Sequence, residues 1–340
     1  MTLGLLVGRE GFEPSLTGPE PAVLPLDDLP EFDGNVTSTV ENRQEVPTKG
    51  LVGACHQGYN LRMSSSVRHP AVSGMFYPSD PVALRTQVER LLGTPPAPSD
   101  GADSSVGLIA PHAGYMYSGA VAGSALRLAA EAGRPEVVVL LGASHSGLGA
   151  WAALPPHAAW ETPLGVVSLE QEIVAALVDN GFEQDATPFV REHSMEVQLP
   201  LLQVLWDQAP PIVPICVRPA LSTHLEKSAA VLADTIKDRN AWILASSDFT
   251  HYETDDVARD WDGQALERIL AVDYDGFRSL VRTKNLSICG ATAIELMLRV
   301  CKQSGLTSSQ LVQYATSGDI TGDRSAVVGY ASVVFQRGEV

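Results

Sequence analysis

Three stretches set a histidine directly behind a short apolar run. Val106-Gly-Leu-Ile-Ala110 leads into Pro-His112-Ala-Gly, and Val137-Val-Val-Leu-Leu141 leads into Gly-Ala-Ser-His145. Trp242-Ile-Leu-Ala245 leads into Ser-Ser-Asp248-Phe-Thr-His251. Short apolar runs bounded by turn-forming residues read as buried strands, so each imidazole is expected at the carboxyl end of a strand. Open α/β sheets bind ligands outside those ends. An imidazole placed there can ligate a metal through a lone pair or carry a proton near neutral pH.

His112 and His145 end the two strands of one predicted βαβ unit. Adjacent parallel strands lie about 4.8 Å apart, so the pair could share one ion. Asp248 supplies a carboxylate near His251, and a carboxylate fixes an imidazole's tautomer and raises its basicity. Cys289 precedes Gly290 and a predicted helix, where the helix dipole favours thiolate, a soft metal ligand and a nucleophile. His193 and Glu196 are three apart and share a face if that turn is helical. Each of these residues taken alone has an ordinary structural role: a loop imidazole bonded to backbone, a turn-capping carboxylate, an inert thiol. His56, His69, His157 and His224 show no partner pattern at all. Two readings follow from the residues: a mononuclear metal site with imidazole and thiolate ligands, and a metal-free Cys289–His251–Asp248 nucleophilic site.

The elements that must position these groups alternate between strand and helix. Asp80 caps a predicted helix with Pro81 in its first position and Val82, Leu84, Val88, Leu91 and Leu92 as its apolar face. The small-residue stretch Gly119 to Ala132 reads as a helix stopped by Gly133, with Pro135 just beyond. Further helices are expected over 169–180, 221–237, 256–272, 274–283 and 291–303, and strands over 211–217, 241–246, 311–316 and 326–335. Residues 1–62 are rich in proline, glycine and acidic residues without a sustained period. They read as a disordered or non-native extension, with Met63 as a candidate start, ahead of one α/β domain over 63–340.

Composition narrows the partners. The 340 residues carry a formal charge of −17, which argues against nucleic acid and against anionic membrane surfaces. Four scattered cysteines with no CxxC pair make neither a disulfide framework nor a zinc ribbon. No apolar run is long enough to suggest a membrane span, so the expected compartment is the cytoplasm.

Taken together, the motifs resemble one family. Val67-Arg-His-Pro-Ala-Val-Ser-Gly-Met-Phe-Tyr-Pro78, Ala110-Pro-His-Ala-Gly-Tyr-Met-Tyr-Ser-Gly119, Leu141-Gly-Ala-Ser-His-Ser-Gly147, Glu192-His-Ser-Met-Glu-Val-Gln-Leu-Pro200, Ser247-Asp-Phe-Thr-His-Tyr252 and Ile288-Cys-Gly290 look like the Memo family. Its bacterial and archaeal members are called AmmeMemoRadiSam system protein B. The resemblance implies the fold of class III extradiol dioxygenases, a single three-layer α/β/α domain around a mixed, largely parallel sheet. It implies a metal, iron(II) or copper, on His112, His145 and Cys289. Asp248 and His251 would flank it, His251 as general acid/base oriented by Asp248, and His193 and Glu196 would line the cleft. The dioxygenases use a carboxylate as third ligand. Cys289 in that position argues against catechol cleavage and toward Cu(I), or iron at an altered potential. The implied activity is metal-dependent redox chemistry on an unknown small substrate. The alternatives are a non-catalytic module binding a peptide or modified side chain in the same cleft, and the metal-free hydrolase. The implied partners are the cleft ligand and, from the family name, a radical-SAM protein and system protein A.

Overall fold

The central strands are apolar at every position because both of their faces are covered. Along Val137–Leu141, Val137, Val139 and Leu141 enter one hydrophobic core while Val138 and Leu140 enter another on the opposite face. Ala241–Ala245 divides in the same alternating way. A period of two with both phases apolar is what a sheet sandwiched between helices requires.

The structure is a computed structural model that describes residues 66–94 and 105–338. The expectation for residues 1–62 lies outside the described residues. In chain order the elements are β1 (Val67–Arg68), α1 (Pro81–Leu92), β2 (Val106–Ala110), α2 (Tyr115–Ala129), β3 (Val137–Ala143), β4 (Ala152–Leu154), β5 (Ala159–Thr162), β6 (Gly165–Ser168) and α3 (Gln171–Asp179). There follow β7 (Glu183–Gln184), α4 (Gln198–Leu205), β8 (Ile212–Val217), α5 (Ser222–Ile236), β9 (Ala241–Ser246) and β10 (His251–Glu253). The chain closes with α6 (Asp255–Leu270), α7 (Tyr274–Lys284), α8 (Ala291–Gln303), β11 (Ser308–Thr316), α9 (Gly318–Thr321) and β12 (Val327–Gln336).

Nine strands form the main sheet, in the order β10-β12-β2-β9-β3-β8-β4-β7 with β11 paired to β12. The inner strands β2, β9, β3 and β8 are parallel, whereas β12 is antiparallel to β2, and β4 to β8. Helices α1, α2 and α4 cover one face, and α3 and α5–α8 cover the other. The result is the expected three-layer α/β/α domain on a mixed, largely parallel sheet. A separate three-stranded sheet, β1-β5-β6, lies off it.

Two expectations need correction. Strands β2 and β3 are not neighbours, because β9 runs between them and pairs with both. A strand–helix–strand pattern specifies two parallel strands in one sheet but leaves room for a later strand to insert. Helix α2 begins at Tyr115, not Gly119. The Tyr115 ring is buried and its hydroxyl donates to the Val197 carbonyl at 2.7 Å, so tertiary packing fixes the first turn ahead of the small-residue run. Asp80 caps α1 as expected, its carboxylate accepting from the Ala83 N–H at 2.8 Å.

Candidate metal centre

After β2 the chain turns to the face carrying α2. After β9 it turns to the face carrying α6–α8. A crevice opens where neighbouring strands send their connections to opposite faces, and it lies outside the carboxyl ends. His112 follows β2, His145 follows β3, and β9 ends between them. The two imidazoles are still edge-to-face at 5.2 Å between centroids, across the width of the intervening strand. That strand ends in Ser246 and is followed by Ser247, two small residues, both fully buried, which leave room for the rings to close over it.

The hydrogen bonds assign the tautomers. The Ser246 hydroxyl has one proton and gives it to the Ser194 carbonyl at 2.6 Å. Its oxygen accepts from Gln198 Nε2 at 2.9 Å, and its remaining neighbour is His112 Nδ1 at 3.0 Å. Nδ1 of His112 must therefore be the donor, and Nε2 keeps the lone pair. His145 Nδ1 lies 2.9 Å from Glu192 Oε1, and a carboxylate only accepts, so Nδ1 again carries the proton. Both imidazoles turn Nε2 to the crevice. This is the arrangement of metal-ligating histidines, whose far nitrogen is held by a second partner.

Cys289 joins them. Its Sγ is 3.3 Å from His112 Nε2 and accepts the Asp248 backbone N–H at 3.3 Å. Gly290 makes this approach possible. A Cβ there would sit 2.5 Å from the Ser247 Cβ and 2.6 Å from the Ser246 carbonyl oxygen, so only glycine lets the start of α8 meet the end of β9. The sulfur and the two strand-terminal imidazoles thus share one crevice. His193 enters it too, stacked on His145 at 4.4 Å. The ligand nitrogens of His112, His145 and His193 all lie within 4.8 Å of one another.

The remaining expected residues divide. Glu196 does not line the cleft. Its carboxylate is fully buried on the other side of the turn, taking Arg68 Nη1 at 2.7 Å, the Tyr77 hydroxyl at 2.8 Å and the Ala71 and Val72 N–H groups. His193 and Glu196 share no helical face because α4 starts only at Gln198. Asp248 makes no hydrogen bond to His251 among the described residues, although the two lie near enough for their charges to interact. Its Oδ1 accepts the backbone N–H of His112 at 2.7 Å and of Ala113 at 3.3 Å, and so fixes the loop carrying the first ligand. His251 is held by Ser287, whose carbonyl faces Nδ1 at 2.8 Å, which again leaves Nε2 with the lone pair. No hydrogen bond among the described residues ties His251 to Asp248 or to Cys289, so the Cys289–His251–Asp248 triad is not assembled.

Glu192 was not singled out in the sequence. Besides His145 Nδ1 it accepts the N–H groups of His145, His193 and Ser194 at 2.8–3.0 Å. It was visible only as the carboxylate next to His193 in the Glu192–Pro200 motif. Ser246 and Gln198 carried no signal of their own, since their role depends on β9 lying between β2 and β3.

Electrostatics follow the geometry. Burial, then the neighbouring imidazoles of His145 and His193, push His112 well below its ordinary pKa and keep it neutral. Burial would also lower His145, but its bonds to Cys289 and Glu192 outweigh it and carry the group to about 10. Burial would raise Glu192, but His145 brings it down to about 2, so the two partners agree on an ion pair. Burial and the nearby His145 charge lower His193 to about 4. Burial raises Asp248 against the pull of His251 and the two N–H groups it accepts. A metal ion held in the crevice would take the place of protons on its ligands and leave both Nδ1 bonds intact.

The donor set therefore fits a metal: two fixed imidazole nitrogens, a thiol in contact with one of them, and a third imidazole alongside. Among the described residues no helix is long and apolar enough to cross a membrane. A family described as Memo-like protein matches residues 68–334. A MEMO1 family protein of Methanopyrus kandleri is 42% identical over 285 residues, covering 80% of this chain and 99% of its own. One from Pyrobaculum aerophilum is 40% identical over 283 residues, covering 80% and 99%. Another from Ignicoccus hospitalis is 38% identical over 284 residues, covering 79% and 98%.

Proposed function

The chain belongs to the Memo family, and from that premise we propose that its crevice holds one iron(II) or copper ion on His112, His145 and Cys289 and supports metal-dependent redox chemistry on a small substrate. One observation carries the reading: two imidazoles, each held through Nδ1 by a separate partner, stand 5.2 Å apart between ring centroids, with a cysteine sulfur 3.3 Å from Nε2 of one of them. When bound, such an ion supplies Lewis acidity and electron transfer. The thiolate favours Cu(I), or iron at a shifted potential, over the carboxylate-ligated site of extradiol cleavage.

The protein's own groups have separable tasks. Glu192 and Ser246 hold the ligand rings. Asp248 holds the His112 loop. His193, stacked on His145, closes one side of the crevice and leaves an imidazole facing the bound substrate. His251, with Nδ1 on Ser287 and Nε2 free at the partly exposed rim, is placed to take a proton from substrate and return it. The cleft ligand is a small molecule or peptide, and the radical-SAM protein and system protein A are its proposed partners. The cytoplasm is the proposed compartment, in line with three free thiols at Cys216, Cys289 and Cys301.

Elemental analysis of protein purified without oxygen tests the proposal. About one iron or copper per chain is expected, lost in Cys289→Ser and in His145→Ala. Full occupancy in both variants rules the ligand set out. A metal-bearing protein that consumes no oxygen and oxidises no substrate under any reductant instead identifies a binding module in the same cleft.

A further inference from the structure

Cys289 also forms part of the wall of a cavity of about 760 Å3, within the roughly 300–1,000 Å3 range of small-molecule pockets. The histidines of the metal centre do not line this space. Its walls are the carboxyl ends of β3 and β8, the first turn of α5, α7 from Phe277 onward and the first turn of α8.

The lining has two kinds of surface. Trp151 and His224 stack at 5.8 Å with 29° between their planes and make a flat shelf, beside which Leu221 stands 65% exposed. The charged lining consists of Arg278, Arg282 and Glu295. Glu295 is neutralised by Arg278 at 2.9 Å and by Arg299 at 2.9 Å, and Arg278 also donates to the Ala220 carbonyl. Arg282 has no ion pair or hydrogen bond among the described residues. An uncompensated guanidinium lining the same cavity as an aromatic shelf, in a protein of net charge −17, is a cation without its anion. The first turn of α8 faces the same space and adds the same sign of charge.

We infer that this cavity is a second binding site, for a planar ring compound carrying an anionic group, with the ring on Trp151 and His224 and the anion on Arg282. An exposed guanidinium forms charge-assisted hydrogen bonds to carboxylate, sulfonate or phosphate oxygens, and an indole face accepts a flat ring. Because Cys289 forms part of both walls, occupancy here bears directly on the sulfur of the metal centre. The inference does not depend on the metal reading.

The test uses the full-length chain and two fluorescent probes with the same rings, anilinonaphthalene sulfonate and the uncharged phenylnaphthylamine. Saturable sulfonate binding is expected, weakened about tenfold or more by Arg282→Gln, the worth of one charge-assisted hydrogen bond. Phenylnaphthylamine binding stays within about twofold in that variant, and Arg268→Gln, at an exposed α6 residue that does not line the cavity, changes neither probe. Trp151→Leu, checked by circular dichroism for an intact fold, weakens both. Equal sulfonate affinity in wild type and Arg282→Gln overturns the inference, as does an equal loss in Arg268→Gln. Cys289→Ser separates the two proposals: it is expected to lose metal and keep sulfonate binding, and each readout fails without the other.

Discussion

Glu192 and Glu196 sit four residues apart on one turn, both buried and both saturated with hydrogen bonds, yet they serve opposite sides of it. Glu196 faces the segment after β1. It closes an ion pair with Arg68, whose guanidinium lies 4.4 Å over the Trp160 ring and also donates to the Phe189 and Glu192 carbonyls. Glu192 faces the crevice and holds the ring and backbone of His145. Burial and full hydrogen bonding therefore do not mark a functional carboxylate. What marks Glu192 is its partner, an imidazole whose other nitrogen is turned to the crevice and Cys289. Glu196 meets only groups with no further chemistry to offer.

The largest expected effect belongs to the clamp. Glu196→Ala leaves Arg68 buried without its anion and should cost about 3–5 kcal/mol of stability. Metal stoichiometry measured well below the unfolding transition should be unchanged. If metal is lost while chemical denaturation shows no destabilisation, the assignment of Glu196 to structure is wrong. Glu192→Gln should do the reverse. Metal affinity falls about 10–100-fold, as for other carboxylates behind a ligating histidine, with a smaller loss of stability. An unchanged affinity in competition with a chelator would show that His145 needs no carboxylate behind it.

A smaller effect reads the Glu192–His145 pair by pH in metal-free protein. The folded pKa of Glu192 is depressed from 4.5 to about 2, so its contribution is full above the unfolded value and is lost as pH falls toward 2. The folded pKa of His145 is raised from 6.5 to about 10, so its contribution is full below 6.5 and is lost as pH rises toward 10. Stability of the metal-free protein should therefore hold a plateau between roughly pH 4.5 and 6.5 from this pair. Glu192→Gln should flatten the acid flank and reduce the alkaline one, which Cys289 still supports, in denaturation measured across pH. Identical profiles for wild type and variant would remove the ion pair from the account.

The parallel inner strands, the covering helices and the strand-end placement of His112, His145 and Asp248 were legible because they follow from local pattern: apolar runs, stop signals and what succeeds them. Cys289 was nameable as a ligand through family resemblance. Its approach depends on Gly290 passing β9 at a distance no other residue allows, a long-range fact with no local mark. The same limit hid Ser246. Its bond to His112 exists because β9 inserts between β2 and β3, and the order of strands in a sheet is not written in their order along the chain. The roles given to Asp248 and Glu196 went astray for one shared reason. Spacing identifies which groups can be near each other but not which backbone N–H will claim a carboxylate first, and in a folded interior those N–H groups must be satisfied.

The central claim is that two imidazole nitrogens and the Cys289 sulfur ligate one ion. X-ray absorption at the edge of the bound metal reads this directly in protein loaded with Cu(I) or Fe(II). The account predicts one sulfur scatterer at about 2.3 Å together with imidazole scattering, and loss of the sulfur shell in Cys289→Ser. A coordination shell of nitrogen and oxygen alone in the wild-type protein would contradict it.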